Sequence, residues 1–173
     1  HFAIRRQRQM CIRDSDRPGI MLAGAMRAYA NRWATAVGDR IAIFANNDDA
    51  HRTAHDLHQL GVEIAAVIDS RPEAPASDSF EVLAASEVMN THGRMGLNSI
   101  DVKTPQGLRQ IQVSGLGVSG GWNPNIHLTC HQRGRPEWDA ALSAFVPSAD
   151  LPKALLVAGA ANGQMTTAAA IQD

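Results

Sequence analysis

The string GVSGG, Gly117 to Gly121, matches G-x-S-x-G, the pattern that exposes a nucleophilic serine on a sharp strand-to-helix turn. Its chemistry would be acyl transfer, and it needs a helix to begin just after Ser119. WNPN follows instead, and Pro124 biases its predecessor towards extended backbone. His127 and His131 do not stand in the usual order of triad partners, so a hydrolase is set aside. His51, His55 and His58 fall on one side of a helical stretch, a spacing that can hold zinc. No Glu completes H-E-x-x-H, and the three read as a solvated helix edge. HLTCH, His127 to His131, has one cysteine and no second half, and reads as a loop. The sequence assigns neither a catalytic residue nor a metal ligand.

Nucleotide chemistry has a better candidate in FANNDDA, Phe44 to Ala50. An apolar run ends here and a helical pattern begins, so the string sits where G-x-G-x-x-G would sit. Ala45, Asn47 and Ala50 take the three glycine positions. Ala50 can still let helix and strand pack closely. Asn47 tolerates a left-handed backbone, but its side chain obstructs the approach of a pyrophosphate. Asp48 and Asp49 place two carboxylates at the helix start that should receive a phosphate. Asp69, at the end of the next apolar run, stands where a ribose-binding acid would stand. The reading is a Rossmann-like domain whose own dinucleotide site is degenerate, with Asp48 as the helix cap.

The elements that must position these residues follow from periodicity. Asp16 to Arg32 carries Met21, Leu22, Ala25, Met26 and Tyr29 at helical spacing, with Pro18 suited to the first turn. Ile41 to Asn47 is a short strand of the kind buried on both faces of a parallel sheet. Asp48 to Leu60 reads as a helix ended by Gly61, and Val62 to Ser70 as the next strand. Together they form a βαβ unit, with a right-handed crossover expected. After a Pro/Ser loop, turn signals at His92-Gly93 and Pro105 to Gly107 divide an antiparallel meander, and LGVSGGW closes it. Beyond, a helix is predicted near Trp138 to Phe145, a buried strand at Ala154 to Gly159, and a helix after it.

Residues 1–15 differ in kind. RRQRQMCIRDS, Arg5 to Ser15, is spelled without a mismatch by codons of a transposase-type sequencing adapter, so residues 1–15 read as an artefact outside the fold. The chain has 16 basic and 17 acidic residues; without Arg5, Arg6, Arg8, Arg13 and Asp14 the other 158 carry 12 and 16, a formal charge of −4. A mildly acidic domain gives no electrostatic case for nucleic acid or an anionic membrane. Only Cys130 remains outside that segment, so there is no disulfide framework. No apolar run approaches the roughly 20 residues that span a bilayer.

Four strings then carry a resemblance: Arg17 to Asp69, containing FANNDDAHRTA; SGGWNPNIHL; RPEWDAALSAFVP; and AGAANG. In that order, across essentially all of residues 16–173, they resemble the α subunit of heterotetrameric sarcosine oxidase. The resemblance implies an internal part of a large flavoprotein chain. Residues 16–40 would be a linker and helix from a first dinucleotide domain. Residues 41–121 would be an inserted Rossmann-like FAD/NAD(P)-binding domain with its meander, and 122–173 an incomplete return into the first domain. The fold class expected is α/β.

The function implied is oxidative demethylation of sarcosine to glycine. The one-carbon unit passes to tetrahydrofolate and hydrogen peroxide forms, in a cytoplasmic complex with β, γ and δ subunits. NAD and a flavin (FAD/FMN) are the implied cofactors, with none tightly held by this stretch alone. Two segments are candidates for cofactor contact: Ser119, Gly120, Gly121 and Trp122, where related flavoproteins cross between domains; and Gly159, Ala160, Ala161, Asn162 and Gly163, where they usually have Gly-Asp before a helix. Ala160 takes that Asp position, so a carboxylate contact to ribose is lost. Other readings are an opine dehydrogenase or hydrogen cyanide synthase type of subunit, or a non-catalytic docking module with a dinucleotide fold.

Overall fold

The computed structural model describes residues 17–130, 134–140, 142, 144–151 and 153–173. Residues 1–15, read as adapter-derived, lie outside the described residues. The chain divides into two units between Gly121 and Trp122.

The first unit is built on a parallel sheet. β1 (Ile20–Leu22) leads into α1 (Ala23–Trp33). β2 (Arg40–Ala45), α2 (Asp48–Gln59) and β3 (Glu63–Asp69) form the βαβ unit, and β4 (Val82–Leu83) follows. A three-stranded antiparallel meander comes next: β5 (Glu87–His92), β6 (Ser99–Thr104) and β7 (Gly107–Gln112). β8 (Gly115–Ser119) then returns to the parallel sheet, whose order is β1-β8-β2-β3-β4.

Alternation along the strands gives the sheet two covered faces. Ile41, Ile43 and Ala45 of β2 pack with Met26 of α1 and Ala50, Ala54 and Leu57 of α2. Ala42 points the other way, into a second core with Ile100, Val102 and Ile111 of the meander. In β3 the register with β2 shifts, Ile41 pairing with Ile64 but Ala42 with Ala66. Ala65 is therefore an extra residue, and Ile64 and Val67 both reach the helix-side core. Of the glycines in β8, Gly117 lets α1 lie close and Gly115 leaves room for a β2 side chain. A Cβ at Gly117 would come within 3.2 Å of Met26 Sδ and 3.3 Å of Ala23, and one at Gly115 within 3.1 Å of the Ile41 side chain.

The helix predicted from Asp16 begins later than its spacing suggests. Gly19 has φ +102°, and its carbonyl accepts from Leu116 N–H while that of Pro18 accepts from Leu97 N–H. Those pairings draw residues 20–22 into the sheet as β1, and the helix starts at Ala23. Pro18 lies in the turn before β1, outside the helix.

The second unit departs further from expectation. α3 (His127–Cys130) is a single turn. Trp138 to Phe145 is not a helix: β9 (Glu137–Asp139) and β10 (Ala144–Val146) pair antiparallel. Trp138 stands opposite Phe145, their rings edge-on at 5.1 Å. Asp139 Oδ1 accepts from Leu142 N–H at 3.1 Å, which starts the reversal. The buried strand predicted at Ala154 to Gly159 is absent; Ala154 sits at φ +63° and Leu156 is 94% exposed. Among the described residues no strand lies alongside this apolar run to pair with it. A 3₁₀ turn (Gly159–Asn162) and α4 (Thr167–Gln172) complete the unit.

Candidate functional site

In a parallel sheet of this kind, ligands are received beyond the C-terminal strand ends, where the chain order reverses. Here that place lies beside β2, with β3 on one side and β8 on the other. The residues gathered there are Asn46, Asn47, Asp48 and His51 from the β2–α2 turn, Asp69 and Arg71 from the end of β3, and Ser119 to Gly121 from the end of β8.

Asn47, not Asp48, caps α2. Its backbone is extended, φ −155° and ψ 165°, and its Oδ1 accepts from Ala50 N–H at 3.2 Å. Asp48 is the first residue of the helix itself. Asn and Asp serve nearly equally as caps, so composition alone could not choose between neighbours. The choice is made from outside the turn. Asn47 Nδ2 donates to Ser119 O at 3.0 Å and is 3.1 Å from Ser119 Oγ, while Asn46 Nδ2 donates to Gly120 O at 3.2 Å. Two asparagines thus bridge the β2–α2 turn to the end of β8.

Asp69 is fully buried, at 0% exposure. Its Oδ1 accepts from Arg71 N–H at 2.9 Å and Arg71 Nε at 3.1 Å; its Oδ2 accepts from Arg71 Nη2 at 2.8 Å and His51 Nε2 at 2.7 Å. An ionised carboxylate only accepts, so the proton in the last bond rests on His51. Burial works against the charge of Asp69, but the hydrogen bonds from Arg71 and His51 outweigh it and hold the carboxyl below its ordinary value of 3.8. Arg71 Nη1 meets Asp48 Oδ1 at 2.8 Å. The hydrogen bond to Asp69 first, and that to Asp48 after it, raise the guanidinium above its usual range.

His55 and His58 do other work, with ring centroids 4.8 Å and 6.1 Å from that of Phe80. Among the described residues no three His, Cys, Asp or Glu side chains are grouped to hold a metal ion. Cys130 is exposed; His131 lies outside the described residues. No helix follows Ser119 before His127, so the nucleophile-elbow geometry does not form.

The two segments predicted to touch a cofactor fall in different units. Ser119 ends β8, with its carbonyl and that of Gly120 turned to the asparagines. Gly121 has φ +86°, a conformation that favours glycine. A Cβ at Gly120 would meet no atom within 4 Å. Trp122, the first residue of the second unit, is 70% exposed. In that unit Gly159, φ +66°, opens the 3₁₀ turn that holds Ala160, Ala161 and Asn162, and Gly163, φ +88°, closes it. Gly159 N–H donates to Asp173 Oδ2 at 2.8 Å, and Asn162 Nδ2 donates to Asp173 Oδ1 at 3.0 Å. This turn holds a carboxylate.

A residue that pattern reading passed over is Arg71. The available signal was its position, two residues beyond a strand-end acid.

No protein-family model matches the chain. Among curated proteins, sarcosine oxidase subunit alpha of Rhizobium meliloti (strain 1021) is 39% identical over 157 residues, 90% of this chain. The protein of that name from Corynebacterium sp. (strain U-96) is 35% identical over 179 residues, 95% of the chain. The chain is homologous to a segment of sarcosine oxidase α subunits. It spans 16% and 18% of the length of these two relatives. The similarity extends over nearly the whole chain, the stretch across which the resemblance was read.

Solved structures agree on the fold. L-proline dehydrogenase from P. horikoshii superposes with a TM-score of 0.61 at 17% identity, over 84% of this chain and 26% of that one. Thioredoxin reductase from T. acidophilum gives 0.55 at 9% identity, over 85% and 53%. The α/β, Rossmann-like class read from the sequence is the class observed.

Proposed function

We propose that this chain is part of the α subunit of a sarcosine oxidase-type complex, an oxidoreductase acting on CH–NH donors. In this reading the complex oxidises sarcosine to glycine, passes the one-carbon unit to tetrahydrofolate and forms hydrogen peroxide in the cytoplasm. β, γ and δ subunits complete it, with NAD and a flavin (FAD or FMN) as cofactors. The observation that carries the reading is the 39% identity over 157 residues to an α subunit of that name. The Rossmann-like sheet supports it as the fold such a chain would need. Among the described residues no helix is long and apolar enough to cross a membrane.

Within that frame, residues 41–121 belong to the inserted dinucleotide-type domain, whose sheet and helix-side core also take in β1 and α1 of the preceding segment, and 122–173 belong with a neighbouring domain of the longer chain. The amine-oxidising flavin would sit chiefly on the β subunit, so these residues would carry no catalytic group. Two of their segments would serve cofactor binding. Around Gly159 to Gly163, the Gly159 N–H and the Asn162 amide already hold the oxygens of Asp173, the donor set a phosphate oxygen would use. Ser119 to Trp122 would contribute a chain crossing, with Gly121 in a backbone conformation open to close approach.

The test is the assembled complex. Full-length α subunit purified with β, γ and δ partners should form peroxide with sarcosine, and glycine in equal amount. Residues 16–173 alone should form none and hold no flavin. Oxidation of an opine, or cyanide released from glycine, would move the chain to one of the related amine-oxidising complexes. The closed β2–α2 turn is the observation that favours a docking role for this domain; loss of assembly without loss of bound cofactor on its deletion would select that role.

A further inference from the structure

A dinucleotide has three footholds in a fold of this kind: the N-terminal turn of the helix, the acid that ends the second strand, and the backbone at the switch point. All three are occupied by the protein itself. At the helix, Asn47 Oδ1 already accepts from Ala50 N–H, and Asp48 and Asp49 present carboxylates where a phosphate would come. At the second strand, Asp69 has no exposed surface and both its oxygens are bound by Arg71 and His51. At the switch point, the carbonyls of Ser119 and Gly120 are taken by the two asparagines.

From this disagreement between fold and ligand chemistry we infer that Asp48, Arg71, Asp69 and His51 form an internal clasp that takes the place of a nucleotide at the β2–α2 turn, leaving that turn of the Rossmann-like domain a nucleotide-free scaffold. Arg71 is central to it. A lone arginine near a strand-end acid could attract a phosphate. Here its Nη1 is committed to Asp48 and its Nε and Nη2 to Asp69, so every nitrogen of the planar fork already serves a carboxylate of the protein. Admitting a pyrophosphate would strip a buried carboxylate of its cation and bring the phosphate against Asp48, which would lose the same arginine. The clasp also has a structural product. The carbonyls of Asp69 and Arg71 accept from Ser86 N–H and Ala85 N–H, both at 2.9 Å, so the segment after β3 is tied to the approach to the meander. In a nucleotide-binding relative of this fold the ligand would bring helix, strand and loop together; in this domain the arginine does.

The inference goes beyond the proposed function and does not depend on which amine is oxidised. It is tested by hydrogen exchange on the full-length subunit, alone and with excess NAD or FAD. Neither nucleotide should slow exchange at residues 48–52 or 69–71, whatever it does elsewhere. Slowing there overturns the inference, whereas the absence of binding anywhere counts against the proposed cofactor role and leaves the clasp standing. Arg71→Ala should raise exchange by about tenfold or more at the first turn of α2 and at residues 71–79, with nucleotide stoichiometry unchanged. Should that variant fail to accumulate, Arg71→Lys, which keeps the charge but loses the fork, should raise exchange at the same places by a smaller factor. Unchanged exchange in the variant that is obtained, or a fall in nucleotide affinity, would overturn the clasp.

Discussion

Two turns in this molecule precede helical backbone and satisfy its donors with side-chain oxygen, and they do so in opposite ways. At Asn46 to Ala50 the oxygen belongs to the turn's own cap, Asn47, and the surrounding charges are sunk against Asp69, which no solvent reaches. At Gly159 to Gly163 the oxygen comes from Asp173, in hydrogen bonds that are exposed. A competing anion can displace the second carboxylate by an exchange in water, at little net cost. At the first turn the cap is a neutral amide, and a phosphate seeking a cation there would have to take Arg71 from the buried Asp69, a loss that typically costs about 3–5 kcal/mol. The same motif is permanent in one place and exchangeable in the other, and burial decides which.

The sharpest way to break the contrast is Asp69→Ala. It leaves His51 buried and Arg71 without its main partner, and should cost about 3 kcal/mol in the opening free energy of the β3 amides, read by hydrogen exchange on the full-length chain. The pH dependence has a definite sign. The folded-state carboxyl titrates below its ordinary value. Its contribution is therefore fully present above the unfolded pKa of about 3.9 and is lost as pH falls through the lower folded value. Protection of the β3 amides, taken relative to their intrinsic exchange rate, should fall on acidification through that window in the parent chain and not in Asp69→Ala.

Asn47→Ala comes next. It removes the cap on Ala50 and the bridge to Ser119, and should cost about 1–2 kcal/mol at the first turn of α2. If Asn47→Asp, which keeps the cap oxygen but lacks the donor to Ser119 O, costs as much as Ala, the bridge across to β8 matters more than the cap.

The smallest effect is expected at the other turn. Asp173→Ala should change opening around Gly159 by no more than about 0.5 kcal/mol, the usual scale for an exposed charged contact. A loss of 2 kcal/mol there would erase the distinction between the two turns.

How much of this was legible beforehand divides along the same line. The βαβ unit could be read because β-branched runs such as Ile41 to Phe44 and Val67-Ile68 are buried on both faces, and burial writes itself into composition. Asp69 could be placed at the strand end, and the crowded helix start argued from Asn47 to Asp49. The clasp could not, because the contacts of Arg71 to Asp48 and of Asn47 to Ser119 join residues 23 and 72 positions apart. In the second unit the local signal itself was ambiguous. Trp138 and Phe145 are seven apart, which suits two turns of helix or two strands of a short hairpin, and the bond from Leu142 N–H to Asp139 settled it. The run Ala154 to Gly159 is apolar enough for a strand, but no described strand lies alongside it.

The place of β8 in the sheet sets an order of events during synthesis. Among the described residues β1 has β8 as its one strand neighbour, Ile20 pairing with Leu116 and Leu22 with Val118. A ribosome adding about 5–20 residues per second would take on the order of 5–20 s to pass from one to the other. During that interval β1 lacks the strand it pairs with, while β2, α2 and β3 can already pair and pack and offer Met26 of α1 the residues it meets on β2. The return of β8, with Gly117 set against Ala23 and Met26, is therefore what seats β1 in the sheet.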